Sequence, residues 1–342
     1  GSEFLQRSMN QGETWERISG DLTNGAKEGN VAFGTISTIS ESKFQFGLLY
    51  AGSDDGKIHV SKDGGVSWQL ISGNLPQNLW VSRVVASSHK KERVYVTLNG
   101  YRNDNFESYA FVSEDFGATW TSISNGLTQA VNVIVEDSAN ENILYFGTDN
   151  GLFISVDKGA NWQDFSNGMP KVAIHDAVIQ TKAKELIVGT HGRSIYKMDI
   201  SKVQELTKDV LAKNLHLFKV NDRTKSERWG SQNYAWGKPS EPSQTIWFYS
   251  NADGIVNVSI TNEAGMLVHT QKVEAKKGLN SFAYNYLLSK EVAEKWNKKD
   301  KNIKIKEAEN KKFYLPVGKY KMTVSKDKVT ETKSFEVTAP KK

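Results

Sequence analysis

The chain has 342 residues with a net charge of +5, and it contains no cysteine. The length is enough for two or three domains, and the lack of cysteine excludes disulfides, thiolate metal sites and cysteine nucleophiles. No stretch approaches the ~18 consecutive apolar residues of a membrane-spanning helix, so we expect no membrane span.

The charge is distributed unevenly along the chain. Residues 1–200 contain 17 Lys and Arg against 23 Asp and Glu, whereas residues 201–342 contain 27 basic and 16 acidic side chains. Halves of opposite sign predict two domains. Many of the lysines lie between Lys290 and Lys312, a run with one tryptophan and no arginine. Because nucleic-acid grooves interleave arginine and aromatic residues with their lysines, we expect no specific nucleic-acid site there.

The first half of the chain repeats one eight-residue phrase four times. The copies are SMNQGETW at 8–15, SKDGGVSW at 61–68, SEDFGATW at 113–120 and SVDKGANW at 155–162, and they start 53, 52 and 42 residues apart. Short apolar runs bounded by Gly, Asn or Asp lie between them. A period of about 40–50 residues with strand-like contents is typical of β-propeller blades. We trace four blades, at about 31–72, 80–124, 130–166 and 172–200.

The phrase has a structural explanation. Its acidic residue can accept hydrogen bonds from main-chain N–H groups a few residues later, and its glycine can take a positive φ. Its tryptophan returns into the blade and is expected to be largely buried. We therefore predict structural roles for Asp63, Asp115, Asp157, Gly65, Gly117, Gly159, Trp15, Trp68, Trp120 and Trp162. The first copy has Asn10 in place of the acid, so we expect a weaker turn there.

The four copies resemble the Asp-box, or BNR, motif of sialidases, xyloglucanases and sortilin-type receptors. The stretches 48–68, 99–120 and 188–200 resemble the last blades of large bacterial sortilin-like BNR proteins, which are often labelled glycosyl hydrolases. The resemblance implies an all-β fold, with a partial or small Asp-box β-propeller of about four blades followed by an Ig-like β-sandwich. It also implies a secreted, periplasmic or cell-surface location.

We predict four segments along the chain. Residues 1–4 read as a cloning scar, 5–200 as propeller blades, 201–216 as a helical linker and 217–342 as the sandwich, with a Lys-rich insertion at 289–312. Alternating apolar residues predict the main strands of the sandwich. These are 245–250, 255–261, 266–273, 279–286, 319–325 and 333–338.

The sequence leaves open how the blades close. The strand at 15–19 either completes the last blade beside 194–200 or is the remnant of a preceding blade. We favour an open arc cut from a larger ring over a closed four-bladed ring. An open arc exposes apolar end faces that the closing strand or self-association would cover. The expected residues are Val31, Phe33, Ile36 and Ile39 at one end, and Ala177, Val178, Ile187 and Val188 at the other.

Loops between the second and third strands share one edge of the blades with the links between blades, opposite the Asp boxes. This edge, the rim, is the candidate ligand site. Its candidate residues are Asp54, Asp55, Trp80, Tyr101, Arg102, Asp104, Asp149, His175, His191 and Arg193.

The residues indicate no catalytic constellation, metal site or cofactor. A sialidase needs clustered arginines and a Tyr/Glu pair, and neither pattern occurs. An inverting glycosidase needs two carboxylates about 6.5–9.5 Å apart. Asp55 and Asp149 are candidates for such a pair, although both lie in Asp/Asn-Gly turns that favour structural roles.

Three functions remain open at this point. The first is a non-catalytic binding or scaffold module that recognises a glycan or a protein through the rim. The second is a fragment of a glycoside hydrolase whose catalytic residues lie partly in missing blades, and the third is a sortilin-like peptide-binding propeller. The expected partners are a glycan or protein ligand, the remaining blades of a parent protein, and a second copy of the chain.

Overall fold

The computed structural model of the chain describes residues 2–25, 34–166, 168–232, 234, 236–301 and 303–340. The chain divides into two compact units, Gly1–Glu205 and Leu206–Lys342. Strands dominate both units. None of the helices in the described part of the chain is both long and apolar enough to cross a membrane.

The first unit consists of a two-stranded hairpin followed by four antiparallel sheets, which we call blades A to D. Blades A, B and C have four strands in sequence order, and blade D has three. The hairpin contains β1 (Gln6–Arg7) and β2 (Glu16–Arg17). Blade A contains β3 (Ile36–Glu41), β4 (Leu49–Ser53), β5 (Ile58–Ser61) and β6 (Gln69–Leu70). Blade B contains β7 (Trp80–Ala86), β8 (Val94–Gly100), β9 (Asn105–Ser113) and β10 (Thr121–Ser122). Blade C contains β11 (Val131–Glu136), β12 (Leu144–Thr148), β13 (Gly151–Ser155) and β14 (Gln163–Asp164), and blade D contains β15 (Ile174–Gln180), β16 (Glu185–Thr190) and β17 (Ile195–Asp199).

Burial of the strands follows their place in the blade. Every residue of the second strands β4, β8 and β12 is buried. Neighbouring blades cover both faces of these strands, which explains why their sequences are nearly continuous apolar runs. The fourth strands β6, β10 and β14 are two residues long and exposed. This architecture confirms the predicted all-β, partial Asp-box propeller.

The first strands of the blades line the inside of an arc. Strand β3 contacts β7, β7 contacts β11, and β11 contacts β15. Arg83 of β7 also forms an ion pair with Asp176 of β15, with 2.8 Å between Nη2 and Oδ1. Blades B and D therefore approach each other across the concave side of the arc.

A buried ionic cluster joins blades B and C. The Arg93 guanidinium contacts Glu136 at 3.3 Å and Glu141 at 3.0 Å. The Glu136 carboxylate also accepts hydrogen bonds from the Ser87 hydroxyl and the Tyr95 phenol. Arg93 and Glu136 are both buried, so their charges depend on each other and on these hydrogen bonds.

The hairpin does not close the last blade. Strand β2 pairs with β1, and among the described residues β17 pairs with β16 alone. Of the two alternatives for this strand, the one in which residues 15–19 complete the last blade beside 194–200 is therefore wrong. The hairpin instead packs ahead of blade A, where the Arg7 guanidinium donates to the Gly64 carbonyl at 2.9 Å. The preceding-blade interpretation of this strand agrees with that position.

The expected end faces are apolar only in part. Ile39 and Val178 are 54% and 57% exposed, whereas Val188 is fully buried. Val188 lies on the opposite face of blade D from Val178, because cross-strand pairing joins Val178 to Ile187 and Ala177 to Val188. Val31 and Phe33 lie outside the described residues.

The segment after blade D contains two four-residue helices, α1 (Ser201–Gln204) and α2 (Lys208–Leu211). Helix α1 belongs to the first unit, where the Gln204 side-chain amide donates to the Asp137 carboxylate. The second unit begins at Leu206, and its strand β18 (Leu215–Leu217) begins inside the predicted linker 201–216.

The second unit is built mainly from two sheets around one apolar core. After β18 its strands are β19 (Arg223–Thr224), β20 (Gln244–Ser250), β21 (Gly254–Asn262), β22 (Leu267–Ala275), β23 (Gly278–Tyr284), β24 (Leu287–Leu288), β25 (Phe313–Tyr314), β26 (Gly318–Lys326) and β27 (Val329–Thr338). The five-stranded sheet has the order β19-β27-β26-β21-β22, the three-stranded sheet has the order β18-β20-β23, and β24 and β25 form a short two-stranded sheet. Ile246, Phe248, Val258 and Met322 from the two larger sheets lie in the shared core, as in a sandwich.

The Lys-rich insertion contains helix α3 (Lys290–Lys299). The Ser289 hydroxyl caps it by accepting a hydrogen bond from the Val292 N–H. Ala293 and Trp296 are buried in the core, and the lysines of the helix are exposed. The insertion is therefore anchored by one apolar face. The Ig-like assignment of this unit stays a prediction.

Candidate functional site

Each Asp box closes its turn with one set of local hydrogen bonds. In the second box the Ser61 hydroxyl donates to Asp63 Oδ1 at 2.8 Å and accepts from the Gly65 N–H at 2.8 Å. The Ser67 N–H donates to the same carboxylate at 2.9 Å. The boxes at Asp115 and Asp157 repeat these bonds with distances within about 0.1 Å. The predicted roles of the acid and the glycine in the turn agree with this geometry, and the serine hydroxyl is a further partner that the sequence analysis did not name.

The first box reproduces the turn without a charge. Asn10 Oδ1 accepts from the Thr14 N–H at 2.9 Å, and the Asn10 amide donates to the Thr14 hydroxyl at 2.9 Å. The Gly12 N–H donates to the Ser8 hydroxyl at 2.7 Å. The side-chain amide thus replaces both functions of the carboxylate, and the turn keeps its shape.

The tryptophan of each later box connects its blade to the preceding repeat. The indole N–H groups of Trp68, Trp120 and Trp162 donate to the carbonyls of Ile18, Ile71 and Ile123, at 2.9, 2.8 and 2.6 Å. Each acceptor lies three residues after the tryptophan of the preceding box. We call this arrangement the blade joint.

The box glycine belongs to the same joint. A Cβ atom at Gly65 or Gly159 would lie 2.8 Å from the Cβ of Ile18 or Ile123. These glycines also have φ values of +94° and +89°, which a residue with a side chain resists. The glycine is therefore needed for two reasons: the turn has a positive φ at this position, and the neighbouring isoleucine leaves no room for a Cβ atom.

Burial of the tryptophan differs between the first box and the other three. Trp68, Trp120 and Trp162 are partly buried, with most of each side chain covered, whereas Trp15 is 63% exposed. Each joint lies at the edge of two short fourth strands, where solvent reaches part of the indole ring. The prediction of largely buried rings therefore agrees with Trp68, Trp120 and Trp162, the last of which stacks on Phe146 with 3.7 Å between ring centroids, and it is wrong for Trp15.

At the opposite edge, four of the predicted rim residues form one cluster. Arg102 Nη1 forms an ion pair with Asp54 Oδ2 at 3.0 Å. The guanidinium lies 5.9 Å from the Trp80 ring and 5.7 Å from the Tyr101 ring, within cation–π range. Trp80 and Tyr101 contact each other edge to face, with 5.9 Å between centroids. We call Asp54, Trp80, Tyr101 and Arg102 the rim cluster.

Two blades hold the rim cluster in place. Asp54 lies in the turn between β4 and β5 of blade A and is buried, and its Oδ1 accepts from the Thr35 N–H at 2.9 Å. Tyr101 and Arg102 lie in the loop between β8 and β9 of blade B. Burial alone would lower the pKa of Arg102, but hydrogen bonds to Tyr101 and Asp54 raise it. The cluster therefore carries a compensated charge beside two partly exposed aromatic rings.

Two buried asparagines, which the sequence did not single out, extend the rim to blade C. The Asn99 amide donates to Asn132 Oδ1 at 2.7 Å, and the Asn132 amide donates to Asp149 Oδ1 at 2.8 Å. Asn99 Oδ1 accepts from the Tyr101 N–H at 2.9 Å. The available signal was an asparagine directly after the apolar run 94–98 and another inside the apolar run 131–135. This chain of hydrogen bonds links the rim cluster to Asp149.

The structure separates Asp55 from the rim surface. Its side chain is buried, with one carboxylate oxygen accepting from the Ser53 hydroxyl and the other from the Asn24 N–H at 2.7 Å. Asp104 is exposed in a left-handed conformation with a φ of 53°. Asp104 therefore shapes a turn. Because both carboxylate oxygens of Asp55 are engaged within the protein, the pair of Asp55 and Asp149 is a weak candidate for two catalytic carboxylates.

Blade D contributes the remaining candidates. The rings of His175 and His191 meet edge to face with 5.3 Å between centroids, and both residues are exposed. The His191 N–H donates to the Ala173 carbonyl at 2.8 Å, which fixes the turn that also contains Arg193. His175 is the second residue of β15 and His191 directly follows β16, so pairing of these strands brings the rings together.

The rim has the composition of a binding surface. It combines aromatic faces, a compensated ion pair and side-chain amides, which suits ligands that need apolar contact and hydrogen bonds together. In the described ranges, His, Asp and Glu side chains do not gather in groups of three or more that could hold a metal ion.

Comparison with known families supports the repeat. Residues 3–130 match the Sortilin-Vps10 family model, described as sortilin, neurotensin receptor 3. This range contains three of the four Asp boxes. The resemblance to Asp-box repeat proteins is confirmed over this range. A search of curated proteins gives no match to the sequence.

Several solved structures are similar to the chain. A GH74 enzyme from Niastella koreensis is 15% identical with a TM-score of 0.43, and the match covers 49% of this chain and 29% of that one. An ancestral GH74 enzyme is 15% identical with a TM-score of 0.45, covering 79% and 35%. The GH74 xyloglucanase from Xanthomonas campestris is 10% identical with a TM-score of 0.40, covering 88% and 47%. The chain therefore spans less than half the length of each of these proteins.

Proposed function

We propose that the first unit is a non-catalytic binding module that recognises an uncharged glycan through its rim. The observation that carries this proposal is the rim cluster, in which Trp80 and Tyr101 present aromatic surface beside a neutralised ion pair. Aromatic ring faces attract the polarised C–H groups of a sugar ring. The amides and carboxylates nearby match its hydroxyl groups.

The charge of the rim cluster supports an uncharged ligand. Arg102 is the cation closest to the aromatic rings, and Asp54 already compensates it at 3.0 Å. An anionic sugar would have to displace that buried carboxylate, which would cost the energy of an uncompensated charge. A neutral oligosaccharide can stack on the rings and leave the ion pair intact.

Binding by the intact chain to a glycan array, followed by titration calorimetry of the best ligand, tests this function. We expect Trp80→Ala and Tyr101→Ala each to weaken binding by about tenfold or more, as for aromatic hot-spot residues. Phe46→Ala is the matched control, because Phe46 is an exposed aromatic residue in the loop between β3 and β4, at the opposite edge.

Two results would contradict the proposal. Equal losses in the rim variants and the Phe46 control would show that binding does not use the rim. Turnover of a polysaccharide by the chain would contradict the non-catalytic part and favour the alternative of a glycoside hydrolase fragment. The engagement of both Asp55 oxygens within the protein supports the non-catalytic interpretation.

A second candidate is recognition of a protein or peptide. The family model that matches residues 3–130 is described as a receptor, and this observation favours a proteinaceous ligand. A peptide-library screen with the same three variants separates the candidates, because rim-dependent peptide binding without glycan binding would replace the glycan proposal. A secreted, periplasmic or cell-surface location suits either ligand and is proposed from the resemblance alone.

A further inference from the structure

Two aromatic side chains of the second unit lie together on its surface. Tyr234 and Trp236 are 63% and 86% exposed, and their rings stack with 5.2 Å between centroids and 11° between planes. The next most exposed large apolar side chain in the described part of this unit is Ile255, at 52%. We call Tyr234 and Trp236 the aromatic tip. Adjacent exposed apolar side chains of this size mark an interaction site.

The loop that carries the aromatic tip is fixed at its base. Trp229 is buried in the core, with its ring 5.5 Å from the Tyr286 ring and 5.9 Å from the Tyr314 ring. The Gly230 N–H donates to the Ser240 carbonyl at 2.7 Å, which closes the loop. The core therefore holds the ends of the loop, and the tip projects from an anchored base.

The end of the Lys-rich insertion lies against this loop. The Asn310 N–H donates to the Gly230 carbonyl at 3.1 Å, and the Lys312 ammonium pairs with Glu241 at 2.6 Å. Three exposed lysines beside these contacts take part in none of the ion pairs formed by the described residues: Lys238, Lys306 and Lys311. Uncompensated positive charge thus lies next to the aromatic tip.

We propose that the aromatic tip and these three lysines dock the second unit on an anionic lipid surface. Tyrosine and tryptophan favour the boundary between hydrocarbon and headgroups, because the ring is apolar and its O–H or N–H is polar. The lysines would reach the phosphate groups of the same surface. One such signal gives only marginal binding, whereas inserted apolar side chains and basic residues together hold a protein at a bilayer.

The shape of the aromatic tip favours a surface over a small ligand. A ring that is 86% exposed protrudes, whereas a small-molecule site encloses most of its ligand in a concave pocket. The two rings already stack on each other, so their inner faces are closed to a sugar ring or a nucleotide base. A second copy of the chain would bring the same lysines together, and like charges oppose that contact.

Co-sedimentation of the intact chain with lipid vesicles tests the proposal. We expect binding to phosphatidylcholine vesicles that contain phosphatidylglycerol, and little binding to phosphatidylcholine alone. Trp236→Ala should weaken binding about tenfold or more, because it removes the larger inserted ring. Lys311→Glu should weaken binding about fivefold or more, because a carboxylate that the surface repels replaces an attracted ammonium.

Two variants elsewhere in the second unit are the matched controls. Ile255→Ala removes an exposed apolar side chain of β21, and Lys272→Glu makes the same change of charge on β22. Both should bind the anionic vesicles as the original chain does. Circular dichroism should show that all four variants keep the fold, since each altered side chain is exposed.

Three results would overturn the proposal. Equal losses in the tip variants and the controls would show that binding follows overall charge and apolar exposure. Equal binding to both kinds of vesicle would show that the lysines have no role. A signal on a glycan array or with single-stranded DNA that Trp236→Ala removes, without vesicle binding by the original chain, would assign the tip to a sugar or a nucleic acid.

Discussion

The indole N–H of Trp120 donates a hydrogen bond to the main-chain carbonyl of Ile71, 2.8 Å away and 49 positions earlier in the chain. This bond joins blade B to blade A at the Asp-box edge. Trp68 and Trp162 make the same contact with the preceding repeats, so the arc depends on a periodic bond between neighbouring blades.

Removing the Trp120 ring should destabilise the first unit. We expect Trp120→Ala to lower the free energy of unfolding by ~2–4 kcal/mol, less than for a fully buried tryptophan because the ring is half-buried. Trp120→Phe should cost about 1 kcal/mol, since it removes only the hydrogen bond. Urea unfolding followed by circular dichroism measures both changes. Losses below about 0.5 kcal/mol in both variants would show that the joint contributes little to stability.

The box glycine should tolerate no side chain. Gly159→Ala imposes a positive φ of 89° on alanine and places its Cβ against Ile123, so we expect a loss of ~2–4 kcal/mol. Gly126→Ala is the matched control, because Gly126 has a φ of +80° and no neighbouring atom within 4 Å. Gly126→Ala should lower the free energy of unfolding by only ~1–2 kcal/mol, the cost of the strained backbone. Denaturant titration compares the two, and equal losses would mean that the isoleucine moves aside without cost.

Because of the Asp boxes, the stability of the first unit should decrease as the pH falls in the acid range. Hydrogen bonds from the Ser67 side chain and N–H and from the Ser61 hydroxyl lower the pKa of Asp63 from 3.8 to about 2. Hydrogen bonds from Thr119 and Ser113 lower the pKa of Asp115 to about 2. Because the folded state lowers both pKa values, the stabilisation is complete above about pH 4 and is lost as the pH falls towards 2.

The first box provides the variant that tests this pH dependence. Asn10 keeps the hydrogen bonds of the turn without a charge, so Asp63→Asn and Asp115→Asn should preserve the turns. Together they should flatten the decrease in melting temperature between pH 4 and pH 2. Asp104→Asn, outside the boxes, serves as the control and should leave the slope as in the original chain. If the double variant leaves the decrease in melting temperature between pH 4 and pH 2 unchanged, the Asp boxes are not its cause.

Removing Glu136 alone from the ionic cluster between blades B and C should lower the free energy of unfolding more than replacing Arg93 and Glu136 together by apolar residues. Glu136→Ala removes the buried acceptor of Arg93, Ser87 and Tyr95, while Arg93 keeps its ion pairs with Glu114 at 2.7 Å and Glu141 at 3.0 Å. We expect the free energy of unfolding to fall by ~1–3 kcal/mol, the cost of buried donors left without their acceptor. Arg93→Met combined with Glu136→Leu should recover part of that loss, because apolar side chains then replace both buried charged groups and solvent reaches the side chains of the remaining partners of Arg93, Glu114 and Glu141. A double variant less stable than the single one would show that the ion pair itself is strongly stabilising.

The sequence predicts those features whose hydrogen bonds lie within one turn. The bonds of Asp63 and Ser61 span at most four residues, so the spacing of Ser, Asp and Gly already specifies them. The acceptor of Trp120 lies in another blade, and the phrase of eight residues does not contain it. A longer repeat unit would have shown it, because an Ile-Ser or Phe-Ser pair follows each tryptophan after two residues.

The rim was predicted less completely for a related reason. Topology placed Asp54, Trp80, Tyr101 and Arg102 at one edge, and their cluster follows from that placement. Asp55 carries the same side chain as Asp54 and is its direct neighbour, yet it points to Asn24 instead. A strand turn sends adjacent side chains to different sides, and the sequence alone does not indicate which of the two carboxylates meets Arg102 in the rim cluster.

The contacts between blades and the variable loops lie at opposite edges of the blades. This separation affects which loop mutations the fold can tolerate. The joints use the Asp-box edge, while the opposite loops range from two residues between β12 and β13 to four between β8 and β9. Mutations that lengthen or diversify those loops leave the joints untouched. The arc is therefore a tolerant scaffold for loop grafting, and new specificity can be selected in blade C at residues 149–150 without redesigning the contacts that hold the blades together.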